Sequence, residues 1–324
     1  MLALVPTLPV RRGSPRSPRV VVLGDLVLDV VVAPERGLVT ATDVPGRVAL
    51  RQGGSAATTA RWLARLGART SLITAVGRDA PGRALLEAVR GDGVTLHASR
   101  PAGRRTGRIA VIVGATGERS FVADRSAADA LPPEDLSAAW FARADLLHLP
   151  MYSLLGEPLG SAGRRAVELA RASKALVSLD LASAVPLLTD GRRAAWDRVA
   201  RAAPDVLFTT LAEAQALLGG GSAERLLDLA PIAVVKRGAK GATVLVRARS
   251  SAGGRVRFEI ATRPIEAADT TGAGDAFDAG FLVSWLRARQ DGTQVSIALQ
   301  RAALAGHRAA ARQLTAPRLE LTFA

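Results

Sequence analysis

A chain of 324 residues with 48% apolar side chains is long enough for one large domain with a smaller appendage. Its net charge of +14 is mostly scattered arginine and its aromatic share is only 4%, so it lacks the dense basic block and stacking platforms of a nucleic-acid reader. It has no cysteine for a disulfide framework or thiolate zinc site, and no run of about 18 apolar residues to cross a membrane.

Residues 1–18, with Pro6, Pro9, Arg11, Arg12, Pro15, Arg16 and Pro18, read as a mobile tail ahead of one domain over 19–324. The tail's arginines follow its short apolar stretch, the reverse of a secretory signal, so a cytoplasmic protein is expected. Residues 19–28 open with Val20-Val21-Val22-Leu23 and run on through Gly24-Asp25, the pattern of a strand buried on both faces of a parallel sheet. Similar runs recur at 71–76, 146–149, 175–179, 206–208 and 232–235. Helix-like stretches fill the intervals at 55–66, 81–89, 157–172, 192–202, 212–218 and 223–229, and return at 283–289 and 295–312. This alternation predicts a three-layer α/β/α domain with a mainly parallel central sheet. Two stretches, at about 30–50 and 95–122, are rich in Val, Thr, Gly and Arg and have no helical period. They predict short antiparallel strands that pair into a small β lid over the cleft.

The most informative segment is Asp269-Thr270-Thr271-Gly272-Ala273-Gly274-Asp275, which leads into an apolar stretch. Gly272 and Gly274 remove side chains that would hold an anion away from the backbone. If a helix follows, its first N–H groups have no partner within it and converge on that anion, with Asp275 in the first turn. An anion cradle with a base beside it suits phosphoryl transfer to a hydroxyl. No Gly-x-x-x-x-Gly-Lys-Ser/Thr run is present, so the cradle is not a P-loop.

Residues 269–281 resemble the C-terminal signature of the ribokinase-like, or PfkB-type, carbohydrate kinases almost throughout. Gly53-Gly54-Ser55-Ala56-Ala57-Thr58-Thr59-Ala60, running through Trp62-Leu63 to Leu66-Gly67, resembles that family's N-terminal Gly-Gly segment. With the opening strand, the lid stretches and Lys236-Arg237-Gly238, the likeness spans nearly everything after the tail. It implies a ribokinase-like fold, a small sugar as substrate, ATP with Mg2+, and a homodimer formed through the lid.

By the same resemblance Asp275 is the general base, and the N–H groups of Gly272, Ala273 and Gly274 form the anion hole. Asp29, Gly53, Gly54 and Thr58 fall at sugar-binding positions, with Thr58 where the family usually has Asn; Asp25 reads as structural. Arg125 falls where an arginine can reach an anionic substrate group, although a surface arginine is the ordinary reading. Lys236, Gly238 and Gly241 would border ATP, or make an ordinary hairpin turn. Glu213 matches the acidic end of an Asn-x-x-Glu motif tied to hydrated magnesium, with Thr210 in place of Asn; a solvated helix glutamate is the alternative. Asp269 and Thr271 fall where relatives often bind a monovalent cation such as K+, or form a turn with local hydrogen bonds. A nucleoside kinase on the same scaffold, or a sugar-binding regulator with weak turnover, are the rival functions.

Overall fold

In β1 (Arg19–Leu23), Val20 and Val22 enter one hydrophobic core and Val21 and Leu23 another. A strand whose two faces are both covered must be apolar at every position, hence the unbroken Val run. The computed structural model describes residues 16–114, 118–247, 254–267 and 269–323, so most of the tail expected over 1–18 lies outside the described residues.

The expected strand over 19–28 ends at Leu23. A Cβ on Gly24 would lie 2.6 Å from Ser153 Oγ and 2.8 Å from Ala56 Cβ, a close approach that glycine alone permits. After this break come β2 (Val27–Pro34), β3 (Gly46–Gly53) and α1 (Ser55–Arg65). Next are β4 (Arg69–Ala75), α2 (Ala80–Gly91), β5 (Thr95–Ser99), β6 (Arg108–Val113) and β7 (Arg119–Asp124). The chain continues through β8 (Leu146–Pro150), α3 (Leu159–Ala172), β9 (Leu176–Asp180), the single turn α4 (Ala184–Leu187) and α5 (Gly191–Ala202). Then come β10 (Val206–Thr210), α6 (Leu211–Leu218), β11 (Ile232–Lys236), β12 (Ala242–Arg247) and β13 (Arg255–Ile260). Two long helices, α7 (Ala273–Gln290) and α8 (Val295–Thr315), close the domain. The helix expected at 223–229 is a 3-10 segment, Ala223–Asp228.

The central sheet has nine strands in the order β13-β12-β11-β10-β9-β8-β1-β4-β5. It is parallel from β11 to β5, and β12 and β13 add an antiparallel edge. Helices α1, α2, α7 and α8 cover one face, and α3, α5 and α6 the other. This is the expected three-layer α/β architecture.

A second sheet, β3-β2-β6-β7, stands apart. Two expectations about it need correcting. Residues 95–99 are not part of it: as β5 they pair with β4 at the edge of the central sheet. Nor is it wholly antiparallel, since β2 and β6 run parallel. Its period-two pattern turns Asp29, Val31, Ala33, Ile109, Val111 and Phe121 toward the cleft.

Candidate active site

The cleft between the two sheets has a volume of about 1320 Å³. Asp29, Gly53, Gly54, Thr58, Arg125, Glu213, Lys236, Asp269, Thr271, Gly272, Gly274 and Asp275 all line it, as the sequence reading expects. Ala273, Gly238 and Gly241 do not.

The N-termini of α1 and α7 meet in the cleft. Gly272 caps α7 in the left-handed region at φ 76°, and a Cβ there would meet Gln313 Nε2 at 2.8 Å. Ala273 N–H donates to Thr270 O at 3.2 Å, which removes it from the expected anion hole. The amides of Gly272, Gly274 and Asp275 have no acceptor among the described residues and are the open donors at the head of α7. Ser55, the first residue of α1, donates its hydroxyl to Asp275 Oδ1 at 2.6 Å. Burial lifts the Asp275 carboxyl to about 7. The charges of Asp180 and Asp25 add to the lift, and the Ser55 hydrogen bond and Lys236 oppose it. A carboxylate with that affinity for a proton suits a base working near neutral pH.

α1 has no side chain at its own cap, Gly54. Asp25 supplies one from a distance: its Oδ1 accepts from Ala56 N at 3.1 Å and its main-chain O from Ala57 N at 3.2 Å. Asp25 Oδ2 also receives Arg125 Nη1 at 3.2 Å, while Arg125 Nε bonds Asp129 at 2.7 Å. Arg125 Nη2 is buried with no protein partner. The Arg125 charge is thus balanced by two carboxylates, and its Nη2 amino group, with two N–H donors, is left without a partner. Asp29 lies against Gly53, where a Cβ would overlap its Oδ1. Burial and the charges of Asp25 and Asp269 raise Asp29 to about 7, against the pull of Arg51. The Thr58 hydroxyl donates within its helix to Gly54 O at 2.9 Å.

At the end of β11, Lys236 Nζ lies 3.1 Å from both Asp180 Oδ1 and Asp278 Oδ1. It also stands 3.4 Å from where a Cβ on Gly274 would be. Burial disfavours its charge, but the carboxylates of Asp180, Asp278 and Glu213 keep it protonated. The turn after it is structural: Gly238 and Gly241 have φ 58° and 89°, and a Cβ on Gly241 would strike Ile260 O at 2.1 Å. Both lie in the hairpin turn that joins β11 to β12, outside the cleft lining. Glu213 forms a capping box with Thr210: Thr210 N donates to Glu213 Oε2 at 2.8 Å and Glu213 N to Thr210 Oγ1 at 3.3 Å. Burial, then the charge of Asp180, raises its carboxyl.

Asp269 and Thr271 do not present open oxygens to a monovalent cation. Three arginines converge on the Asp269 carboxylate: Arg51 at 3.0 Å, Arg119 at 3.0 Å and Arg318 at 3.5 Å. Sequence reasoning did not anticipate Ser55, Asp278 or Arg318, and it gave Asp180, which lines the cleft, no role. Only Asp180, at the end of a buried strand, has a local signal.

Comparison with known proteins gives the family. The model of the pfkB family carbohydrate kinases matches residues 17–320. The chain belongs to that family. The kinase is 32% identical to a fructokinase of Klebsiella pneumoniae over 274 residues, covering 81% of this chain and 82% of that protein. It is 31% identical to fructokinase-1 of Oryza sativa subsp. japonica over 277 residues, 81% of each. Its fold matches adenosine kinase from Sinorhizobium meliloti with a TM-score of 0.77 at 24% identity, covering 94% of this chain and 96% of that one. It matches fructokinase from Vibrio cholerae O395, solved with fructose, ADP and calcium, with a TM-score of 0.74 at 24% identity, covering 93% and 94%. The protein is thus a sugar phosphotransferase with a ribokinase-like fold. Among the described residues no helix is long and apolar enough to cross a membrane.

Proposed function

We propose that this kinase transfers the terminal phosphoryl group of ATP to a hydroxyl of a neutral sugar, fructose first among them, with Asp275 as the base. The observation that carries the reading is the Asp275 carboxyl, lifted to about 7 beside amides without acceptors at the head of α7. Asp275 accepts the hydroxyl proton as that oxygen bonds to the γ-phosphorus; the bond to the bridging oxygen breaks and ADP leaves with its electron pair. The amides of Gly272, Gly274 and Asp275, with the dipole of α7 behind them, stabilise the charge on the moving group. Lys236, held between Asp180 and Asp278, stands beneath the same loop. Asp29 accepts from two sugar hydroxyls, and Gly53 and Gly54 let the sugar approach the main chain. Closure of the β3-β2-β6-β7 sheet as a lid excludes water as a competing acceptor.

Magnesium fits the Glu213 end of the cleft. Glu213 Oε1 has no hydrogen-bond partner among the described residues, and the like charge of Asp180 faces it. One or two carboxylates suffice for an ion that keeps several waters and binds phosphate. Bound there, it would neutralise phosphate charge.

Charge pairing in the cleft favours a neutral substrate. Every basic side chain that lines it (Arg51, Arg61, Arg65, Arg119, Arg125, Lys236 and Arg318) already contacts a carboxylate. The sugar acid that Arg125 alone would suggest meets there a guanidinium already neutralised by Asp25 and Asp129. A homodimer through the lid is also part of this reading, supported by the apolar outer face of that sheet, where Val48 and Val122 are 66% and 65% exposed. The test is ADP release from MgATP with fructose, aldohexoses, gluconate and adenosine in parallel. Fructose or another neutral sugar is expected to give the highest kcat/KM. A preference for gluconate or adenosine would overturn the substrate assignment.

A further inference from the structure

The signature segment that resembles a monovalent-cation site already holds a cation of its own. Arg318 Nη2 donates to the main-chain oxygens of both Asp269 and Thr271 at 3.1 Å, and its Nε lies 3.5 Å from Asp269 Oδ2. We propose that the Arg318 guanidinium permanently takes the place of a potassium ion under the anion-hole loop, so that this kinase needs no monovalent cation and is not regulated by one.

The oxygens that an ion would use are taken. Thr271 O accepts from Arg318 and also from Gln313 Nε2 at 2.9 Å, which occupies both of its lone pairs. Thr271 Oγ1 accepts from Arg119 Nη1 at 3.0 Å. Asp269 Oδ1 accepts from Thr271 N at 2.9 Å and meets Arg119, while Oδ2 meets Arg51 and Arg318. A bare cation must be given oxygens to replace its hydration shell, and it would here face three guanidinium groups around one carboxylate. Both conditions exclude it.

The chain places Arg318 there for local reasons. α8 ends at Thr315, Ala316 is extended at φ −71° and ψ 142°, and Pro317 prevents any continuation of the helix. The segment turns back toward the cleft and is held to the lid by Leu321 N donating to Leu50 O at 2.7 Å. Gln313, in the last turn of α8, is fixed by Trp62 Nε1 at 2.9 Å. Arg318 is thereby a positioning residue: it holds the two carbonyls that precede Gly272 and touches no reacting atom.

The test compares the full-length kinase with Arg318→Ala and Arg318→Lys in choline chloride and in KCl at equal ionic strength, with two readouts. Wild-type turnover is expected to be the same in both salts, and its melting temperature likewise. Arg318→Ala is expected to lose about tenfold in kcat in choline and to regain most of it in KCl, with a potassium-specific rise in melting temperature. Arg318→Lys, which keeps a charge, is expected to show a smaller loss and no potassium response. The activity arm presupposes the kinase reading above, whereas the melting arm needs no turnover, so their failures are distinguishable. A wild-type protein activated several-fold by potassium, or one that melts higher in it than in choline, would overturn the proposal. An Arg318→Ala protein that is folded but indifferent to potassium in both readouts would overturn it too.

Discussion

Asp275→Asn is expected to lower kcat by about 10²–10⁴ while leaving the fold intact, because the amide keeps the hydrogen bond to Ser55 but cannot accept the hydroxyl proton. The pH profile carries a matching signature. With the wild-type carboxyl near 7, the base is protonated below that pH, so kcat/KM rises with pH and levels off above about 7. The residual rate of the Asn variant should lose that step. Stability has the opposite sense. A carboxyl whose folded pKa is raised from 3.8 to about 7 binds more protons folded than unfolded between those values, so the wild type loses stability as pH rises through that window. Asp275→Asn removes this loss and should melt at or above the wild type at pH 8. Steady-state kinetics and melting curves from pH 5 to 9 check both. Near-wild-type turnover in the variant would remove Asp275 from the base role.

Lys236→Met is expected to be the most damaging single change to stability. Lys236 holds Asp180 and Asp278 at 3.1 Å each and lies 5.8 Å from the Phe208 ring centre; the Asp278 side chain is fully buried. Removing one member of a buried ion pair leaves an uncompensated charge, which typically costs about 3–5 kcal/mol. Asp278 already takes up a proton more readily than an ordinary carboxyl because of burial, with Asp180 adding to this and Lys236 opposing it. Part of the loss should therefore be recovered at lower pH, where the stranded carboxylates protonate. The double variant Lys236→Met/Asp278→Leu should lie well above the sum of the single effects, since it buries apolar groups in place of charge. Urea unfolding of the wild type, both single variants and the double variant measures this. A Lys236→Met midpoint equal to that of the wild type would show that the cluster contributes nothing to stability.

Much of the fold was legible because burial on both faces leaves an unbroken apolar run, as at Val20–Leu23. What the sequence could not show were boundaries decided by tertiary contact. Gly24 ends β1 because Ser153 and Ala56 press on it from other elements. β5 has the mixed composition of the neighbouring lid, so Thr95–Ser99 could be told from lid only by its pairing with β4. The site divides in the same way. Asp29, Gly53, Gly54, Gly272, Gly274 and Asp275 were readable because their chemistry sits in short contiguous motifs. Thr210 and Glu213 carried the spacing of a capping box, but they were read as a metal motif or a solvated helix glutamate, and the structure buries the glutamate in the box. Ala273 has the right neighbours, but its amide turns back on Thr270, a conformational detail with no residue signature. Arg318 was one arginine among many. Only Pro317 hinted that the chain turns there, and nothing local says that the arginine returns to Asp269 from 49 residues away.

The most direct test is a crystal structure of the Asp275→Asn kinase with a non-hydrolysable ATP analogue, magnesium and the best sugar from the ADP-release screen. The account predicts the terminal phosphate within hydrogen-bond distance of the Gly274 and residue-275 amides, and a sugar hydroxyl about 3 Å from the replaced side chain and in line with the phosphorus. A triphosphate tail bound away from the head of α7, or a sugar whose hydroxyls all point away from position 275, would contradict it.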